Sequence, residues 1–158
     1  RLGYSIAEAK IHTTRHGYAL DSFMLLDPDG TLAYRDMISL IEHDLSARLA
    51  SGAVPEKAAS GRLSRQVRNF PITPEVQIRQ TEKPGQCLLS IIAADRPGLL
   101  FTVASTLDAH DINVHTAKIA TLGERVEDTF LVDGAALQRP KAQLRIESEI
   151  LDAVGAPA

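Results

Sequence analysis

Cysteine is nearly absent. Cys87 is the only one in 158 residues, which excludes an internal disulfide and any zinc site built from thiolates. Its place in an apolar run reads as a small buried hydrophobe. No apolar run is long enough to span a bilayer. The opening Arg1-Leu2-Gly3-Tyr4 has neither the n-region nor the h-region of a signal peptide, and no initiating Met. The expectation is therefore a cytoplasmic stretch that lies inside a longer chain or follows a removed tag. An excess of one charge is also missing. A net charge of −3 argues against a dedicated nucleic-acid binder. The five histidines, His12, His16, His43, His110 and His115, show no metal-ligand spacing, so no metal site is expected. No nucleophile–base pair, phosphate-binding loop or dinucleotide fingerprint is present.

What is present is regular alternation and helical periodicity. Residues 3–11 alternate apolar and polar, with a slip in parity between Ile6 and Ala9 that predicts a bulged strand. Tyr18 to Leu26 is a second strand, with Phe23 and Leu25 on one face. Asp27-Pro28-Asp29-Gly30 is a turn. Ile38, Ile41, Leu45 and Leu49 form one helical stripe, with Ser39 and Glu42, or Asp36 alone, as candidate caps. Residues 51–69 are a linker, locally basic through Lys57, Arg62, Arg65 and Arg68. Val76 and Ile78 alternate with polar neighbours, and Cys87 to Ala94 is almost wholly apolar. The short Lys83-Pro84-Gly85 turn favours pairing these two runs as a hairpin. Val76 to Gln80 closing the first repeat is the alternative.

Asp95-Arg96-Pro97-Gly98 then marks a corner between strand and helix. Leu99, Leu100, Val103, Leu107 and His110 share a helical face, with Pro97 expected as the first helical residue and Asp95 as its cap or as an Asx-turn residue just before it. Such a corner presents backbone N–H groups that suit a small anion, such as an amino-acid carboxylate. A capped structural turn is the alternative reading. Residues 111–122 and 126–133 are two further strands. The first repeats the parity slip, between Val114 and Ala117. Gly134 and Pro140 frame a loop. The last helix, 141–154, is expected to turn Leu144, Ile150, Leu151 and Val154 inward.

The chain contains an internal repeat. Ala9-Lys10-Ile11 recurs as Ala117-Lys118-Ile119, and Asp21-Ser22-Phe23-Met24-Leu25 recurs as Asp128-Thr129-Phe130-Leu131-Val132. Each copy leads into an amphipathic helix. The second copy has an upstream strand and helix, and the first begins too near residue 1 for its own. The expected fold class is therefore α+β, built from ferredoxin-like units (an antiparallel sheet with helices on one face), the first copy truncated. The expected division is 1–50 for the partial first copy, 51–70 for the linker and 71–158 for the second. Asp21 and Asp128 recur at equivalent strand positions. That reads more simply as a fold requirement than as acid–base chemistry.

Asp95-Arg96-Pro97-Gly98-Leu99-Leu100, Ile112-Asn113-Val114, Ala117-Lys118-Ile119 and Gly123-Glu124-Arg125-Val126-Glu127-Asp128-Thr129-Phe130 together resemble an ACT domain. More narrowly, the ordered pair of copies resembles the tandem ACT domains at the C-terminus of the bacterial protein-PII uridylyltransferase/uridylyl-removing enzymes. The resemblance implies a non-catalytic region that senses an amino acid, with L-glutamine as ligand. It signals to upstream catalytic domains that act on the PII protein. Those domains would use Mg2+, and this stretch would hold no cofactor. The implied ligand residues are Asp95, Arg96, Gly98, Leu99 and Leu100 at the corner, with the N–H groups of Leu99 and Leu100 meeting a carboxylate. Asn113 and its counterpart Ser5 would be supplied by neighbouring strands. An ACT pair from another amino-acid metabolic enzyme, sensing serine, a branched-chain or an aromatic amino acid, is one alternative. A ligand-free assembly module is another. A half-unit without its partner also invites association into a homo-oligomer. Neither nucleic acid nor membrane is an expected partner.

Overall fold

The computed structural model describes residues 5–14, 16, 18–26, 34–52 and 71–155. The Asp27–Gly30 turn and nearly all of the 51–69 linker lie outside the described residues. Six strands form one antiparallel sheet: β1 (Ser5–Thr13), β2 (Ala19–Leu26), β3 (Glu75–Gln80), β4 (Gln86–Ala94), β5 (Asn113–Leu122) and β6 (Arg125–Asp133). Their order is β2-β1-β5-β6-β4-β3. Among the described residues the α-helices are α1 (Tyr34–Ser51), α2 (Leu99–Ala109) and α3 (Pro140–Gly155).

The two parity slips are real irregularities. The β1–β2 register shifts between Ile6 and Glu8, and the β5–β6 register shifts between Val114 and Thr116. An extra residue on one strand reverses which face its successors occupy, which is what the broken alternation records. The hairpin reading of β3 and β4 also holds, from Glu75 opposite Ile92 to Gln80 opposite Cys87.

The two copies meet through their repeated segments. β1 runs antiparallel to β5, with Ala9 opposite Ile119, Lys10 opposite Lys118 and Ile11 opposite Ala117. Each residue of the repeated tripeptide faces the other copy across a local two-fold centred on the lysines. The central strands β2-β1-β5-β6 therefore read the same from either end.

The core lies between the sheet and α2 and α3. Cys87, Leu89, Ile91 and Ala93 alternate inward from β4, as do Val126, Phe130 and Val132 from β6, against Leu99, Val103 and Leu107 of α2. In α3 the inward residues are Ile146, Ile150 and Val154. Ile150 and Val154 meet expectation. Leu144, at 65% exposure, and Leu151 do not. The buried stripe advances by four residues, and both leucines stand off its axis. The 134–140 loop contains a 3-10 turn, Ala135–Gln138, that buries Leu137.

The caps differ from expectation at both helices. α1 begins at Tyr34, so Asp36 sits in its first turn, where a carboxylate favours the helix dipole. Ser39 and Glu42 lie inside the helix and cap nothing at its start. α2 begins at Leu99 behind Gly98, which stands at φ 83°, ψ 5° with no side-chain cap. The Leu99 N–H donates to the Arg96 carbonyl (3.2 Å). These are the marks of a type II turn, with Pro97 and Gly98 as its central pair. Pro97 therefore precedes the helix and Asp95 is not its cap. The positive φ at the third turn position is the reason a glycine stands there.

Among the described residues, no helix is long and apolar enough to cross a membrane.

Candidate functional site

The 95–100 corner stands at one end of the sheet. β4 ends at Ala94, opposite Arg125, and β5 ends at Leu122, opposite the same Arg125. The Asp95 N–H donates to the Glu124 carbonyl (2.8 Å), which ties the corner to the β5–β6 turn. Arg96 turns away toward α3, where its guanidinium donates to the Ala153 carbonyl. That bond satisfies one of the orphan carbonyls at the helix C-terminus. The Thr102 hydroxyl donates to the Gly98 carbonyl (3.0 Å). The corner is thus held from three sides, by the β5–β6 turn, by α3 and by α2 itself.

The expected carboxylate donors fare unequally. The Leu99 N–H is engaged within the turn. The N–H of Leu100 lies in the first turn of an 11-residue helix, where α-helical bonding supplies no partner.

The remaining expected ligand positions separate. Ser5 opens β1 opposite Leu26. Next to it in sequence, the Ile6 carbonyl accepts from the Thr121 hydroxyl (2.9 Å), so the start of β1 shares the corner's end of the sheet. Asn113 is opposite Asp133, and Asp133 is opposite Gln86 at the start of β4. A strand of nine residues spans roughly 25–30 Å, so Asn113 sits far from the corner of its own copy. There it donates to Asp133 Oδ1 (3.1 Å), while His115 Nε2 lies 2.6 Å from Asp133 Oδ2. These bonds, the His115 contact foremost, hold the Asp133 carboxyl below its ordinary range. By the internal two-fold, Asn113 stands where a corner of the first copy would lie, and Ser5 stands toward the corner of the second.

One residue at the corner's end was not expected there. Asp128 belongs to the inward series of β6, between Val126 and Phe130, and is 1% exposed. Its Oδ1 accepts from the Ala120 N–H (3.3 Å), and among the described residues its Oδ2 has no hydrogen-bond partner. Burial foremost, with the charge of Asp95 adding to it, pushes its carboxyl up to about 6 against the Ala120 hydrogen bond. Asp95 is also raised, first by burial and then by Glu124, while a backbone hydrogen bond from Arg96 opposes the shift. The sequence signal was an acid in step with Val126, Phe130 and Val132. Asp21, its counterpart, is exposed on β2, and β1 and β5 separate the two strands. The two aspartates are not an acid–base pair.

Among the described residues, no three or more metal-binding side chains gather into a site.

The ACT domain family matches residues 88–149, which begins in β4 and includes the corner, α2, β5, β6 and most of α3. The chain is 58% identical over 96% of its length to a bifunctional uridylyltransferase/uridylyl-removing enzyme of Aromatoleum aromaticum. It is 51% identical over 98% of its length to the one from Ralstonia nicotianae, and 47% identical over 98% to one from Burkholderia mallei. In each case it spans 18% of the relative's length. No solved structure matches the chain. Residues 88–149 are thus similar to the ACT domain family, and over nearly its whole length the chain is similar to a segment of the bifunctional uridylyltransferase/uridylyl-removing enzymes.

Proposed function

We propose that this stretch is the amino-acid-sensing regulatory region of a PII uridylyltransferase/uridylyl-removing enzyme, with L-glutamine as its ligand and no catalysis of its own. The observation that carries the reading is the corner itself. A glycine-dependent turn feeds the N-terminus of α2 at a sheet end where both copies contribute strands, inside a stretch 58% identical to a segment of a bifunctional uridylyltransferase/uridylyl-removing enzyme. The N–H groups of the first α2 turn suit the ligand's carboxylate. Ser5 approaches from the other copy. A ligand held by groups from two copies binds only when those copies are docked, and such a ligand shifts the balance between docked and separated arrangements. The upstream catalytic domains, their Mg2+ and the PII protein would read that shift.

The domain organisation follows the same two-fold. β6 has β4 on its far side, and β2, the counterpart of β6, ends the sheet. A complete first unit would set a strand and a helix equivalent to β4 and α2 beside β2, and its corner would then face Asn113, giving two sites related by the internal two-fold.

A second reading rests on the same bare edge. Phe23, Met24 and Leu26 of β2 are exposed, and a shallow hollow of about 190 Å³ lies among Glu8, Lys10, Ser22, Phe23 and Met24. An open apolar strand edge suits assembly without a small ligand. Calorimetric titration of an amino-acid panel into this chain and into the full-length protein separates the readings. Saturable glutamine binding to the full-length protein, lost in Gly98→Val, is the expected result. Binding of serine, a branched-chain or an aromatic amino acid instead would reassign the ligand. No binding, with concentration-dependent dimers, would leave assembly as the function.

A further inference from the structure

The sheet has a second face. The helices α2 and α3 pack on the side to which Leu89, Ile91, Phe130 and Val132 point, and the alternate residues of each strand point the other way. The strand registers align those outward residues into rows. One row crosses all six strands as Ser22, Lys10, Lys118, Thr129, Ser90 and Gln77. The row beside it crosses as Leu20, His12, Thr116, Leu131, Leu88 and Arg79. All of these positions are exposed or half-buried. Neither row contains an acid. Of the acids that border this band, Glu8 is 3.2 Å from Lys10, Glu127 is 2.8 Å from Arg125 and Asp133 is 2.6 Å from His115. The band is therefore basic at its centre and apolar along one side. Lys10 and Lys118 are directly opposite each other. Like charges in that relation weaken a strand pair, and a carboxylate laid between them turns the repulsion into two attractions.

We propose that this band is the docking surface for an acidic amphipathic helix from another part of the full-length polypeptide. Its carboxylates would meet Lys10 and Lys118, and its apolar side chains would cover Leu20, Leu131 and Leu88. The dimensions agree. Six strands at the usual spacing make a band roughly 24 Å long, the length of a helix of about 16 residues. The two rows stand about 7 Å apart, within the roughly 10 Å width of one helix. Leu20 is 69% exposed and Leu88 36%, so apolar surface is there to be covered. A second copy laid on this face centre to centre would set lysines against lysines. The relatives are far longer than this stretch, which spans 18% of their length, and the helix would come from that remainder. The inference rests on the reading of this stretch as the regulatory part of a longer enzyme, and names the face through which it meets the rest.

The test uses the full-length protein. Zero-length carbodiimide coupling joins amines to carboxylates in direct contact, and mass spectrometry identifies the joined peptides. Lys10 and Lys118 should couple to Asp or Glu residues outside this stretch, with a yield that dilution does not change. In brief acetylation both lysines should react about tenfold or more slowly than the exposed Lys141 of α3, since a docked helix shields them most of the time. Leu88→Glu places a negative charge in the band at an exposed position. It should bring both lysines to within about twofold of Lys141 and leave glutamine binding unchanged. Coupling that falls with dilution would put a second copy on this face and overturn the proposal. Coupling to Glu8 alone, with both lysines as reactive as Lys141, would show a bare face and overturn it equally. If the couplings outside this stretch appear but no amino acid binds, the docking surface stands and the reading of the corner falls.

Discussion

The two copies carry the same short sequence into different surroundings. In the second, Phe130 is 6% exposed, and in the first its counterpart Phe23 is 51% exposed. Asp128 is sealed in the core, and Asp21 faces solvent. The helix that follows β6 lies against β3, β4 and α2, whereas Leu45 and Leu49 of α1, which follows β2, stay exposed. The sheet's two margins differ in the same way. On β3 the Ile78 N–H donates to Glu147 (2.6 Å) and its carbonyl accepts from Gln143 (2.9 Å), so α3 covers that edge. Among the described residues nothing covers β2. The lesson is that a repeated strand motif specifies a strand and a face but not its burial. Burial needs a neighbouring strand and an overlying helix, and β4 and α2 supply them to one copy only.

The largest effect that would test this contrast is a pair of truncations. Phe130→Ala should destabilise by about 3–5 kcal/mol, the range for a buried aromatic. Phe23→Ala should cost roughly 1 kcal/mol or less, because half its surface is already in water. Urea denaturation of both variants gives the comparison directly. Equal losses would mean that β2 is covered in solution, by a second copy or otherwise, and a protein-concentration series would reveal which.

The paired aspartates give the next effect. The folded state holds the Asp128 proton more tightly than the unfolded chain does, so this group's contribution is fully present below pH 4. It falls as the pH rises from about 4 through 6 and is flat above. The total is of the order of 2–3 kcal/mol. Asp128→Asn should flatten that decline and raise stability at pH 7. Asp21→Asn, at the exposed counterpart, should stay within about 0.5 kcal/mol of the parent. Thermal unfolding across pH 4–8 measures both, and an unchanged decline in Asp128→Asn would show that other groups cause it.

The smallest effect lies where the copies join. Lys10 and Lys118 stand opposite each other, and like charges in that relation weaken a strand pair. Lys10 is partly compensated by Glu8, 3.2 Å away. Lys118→Glu should stabilise the chain by up to about 0.5–1 kcal/mol at low salt, and the gain should shrink as salt screens it. A loss instead of a gain would place β1 away from β5 in solution.

Most of the local structure was legible in the residues. Among the described residues, the strands, the helices, the two bulges and the β3–β4 hairpin all follow from periodicity and turn chemistry, which act over a few neighbours. Gly98 was legible as a special position, but its role was not. Pro97 satisfies the first position of a helix and the second of a type II turn equally well, and only the Leu99 hydrogen bond to Arg96 separates the two. The inward face of α3 was misread because Leu144 and Leu151 are as apolar as the residues that are buried. Only the position of β3 and β4 beneath the helix decides between the stripes.

By itself, then, the sequence determined the elements, their order, the presence of two related copies and the corner's chemical types. Tertiary structure decided what those elements meet. It set β1 against β5 in a two-fold register, placed Asn113 at the opposite end of the sheet from Asp95, and enclosed Asp128 while leaving Asp21 in water. The physical reason is that strand pairing across more than a hundred residues and burial in a core are properties of neighbours in space. A side chain's alternation along its own strand names a face, and whether that face is dry depends on what packs over it.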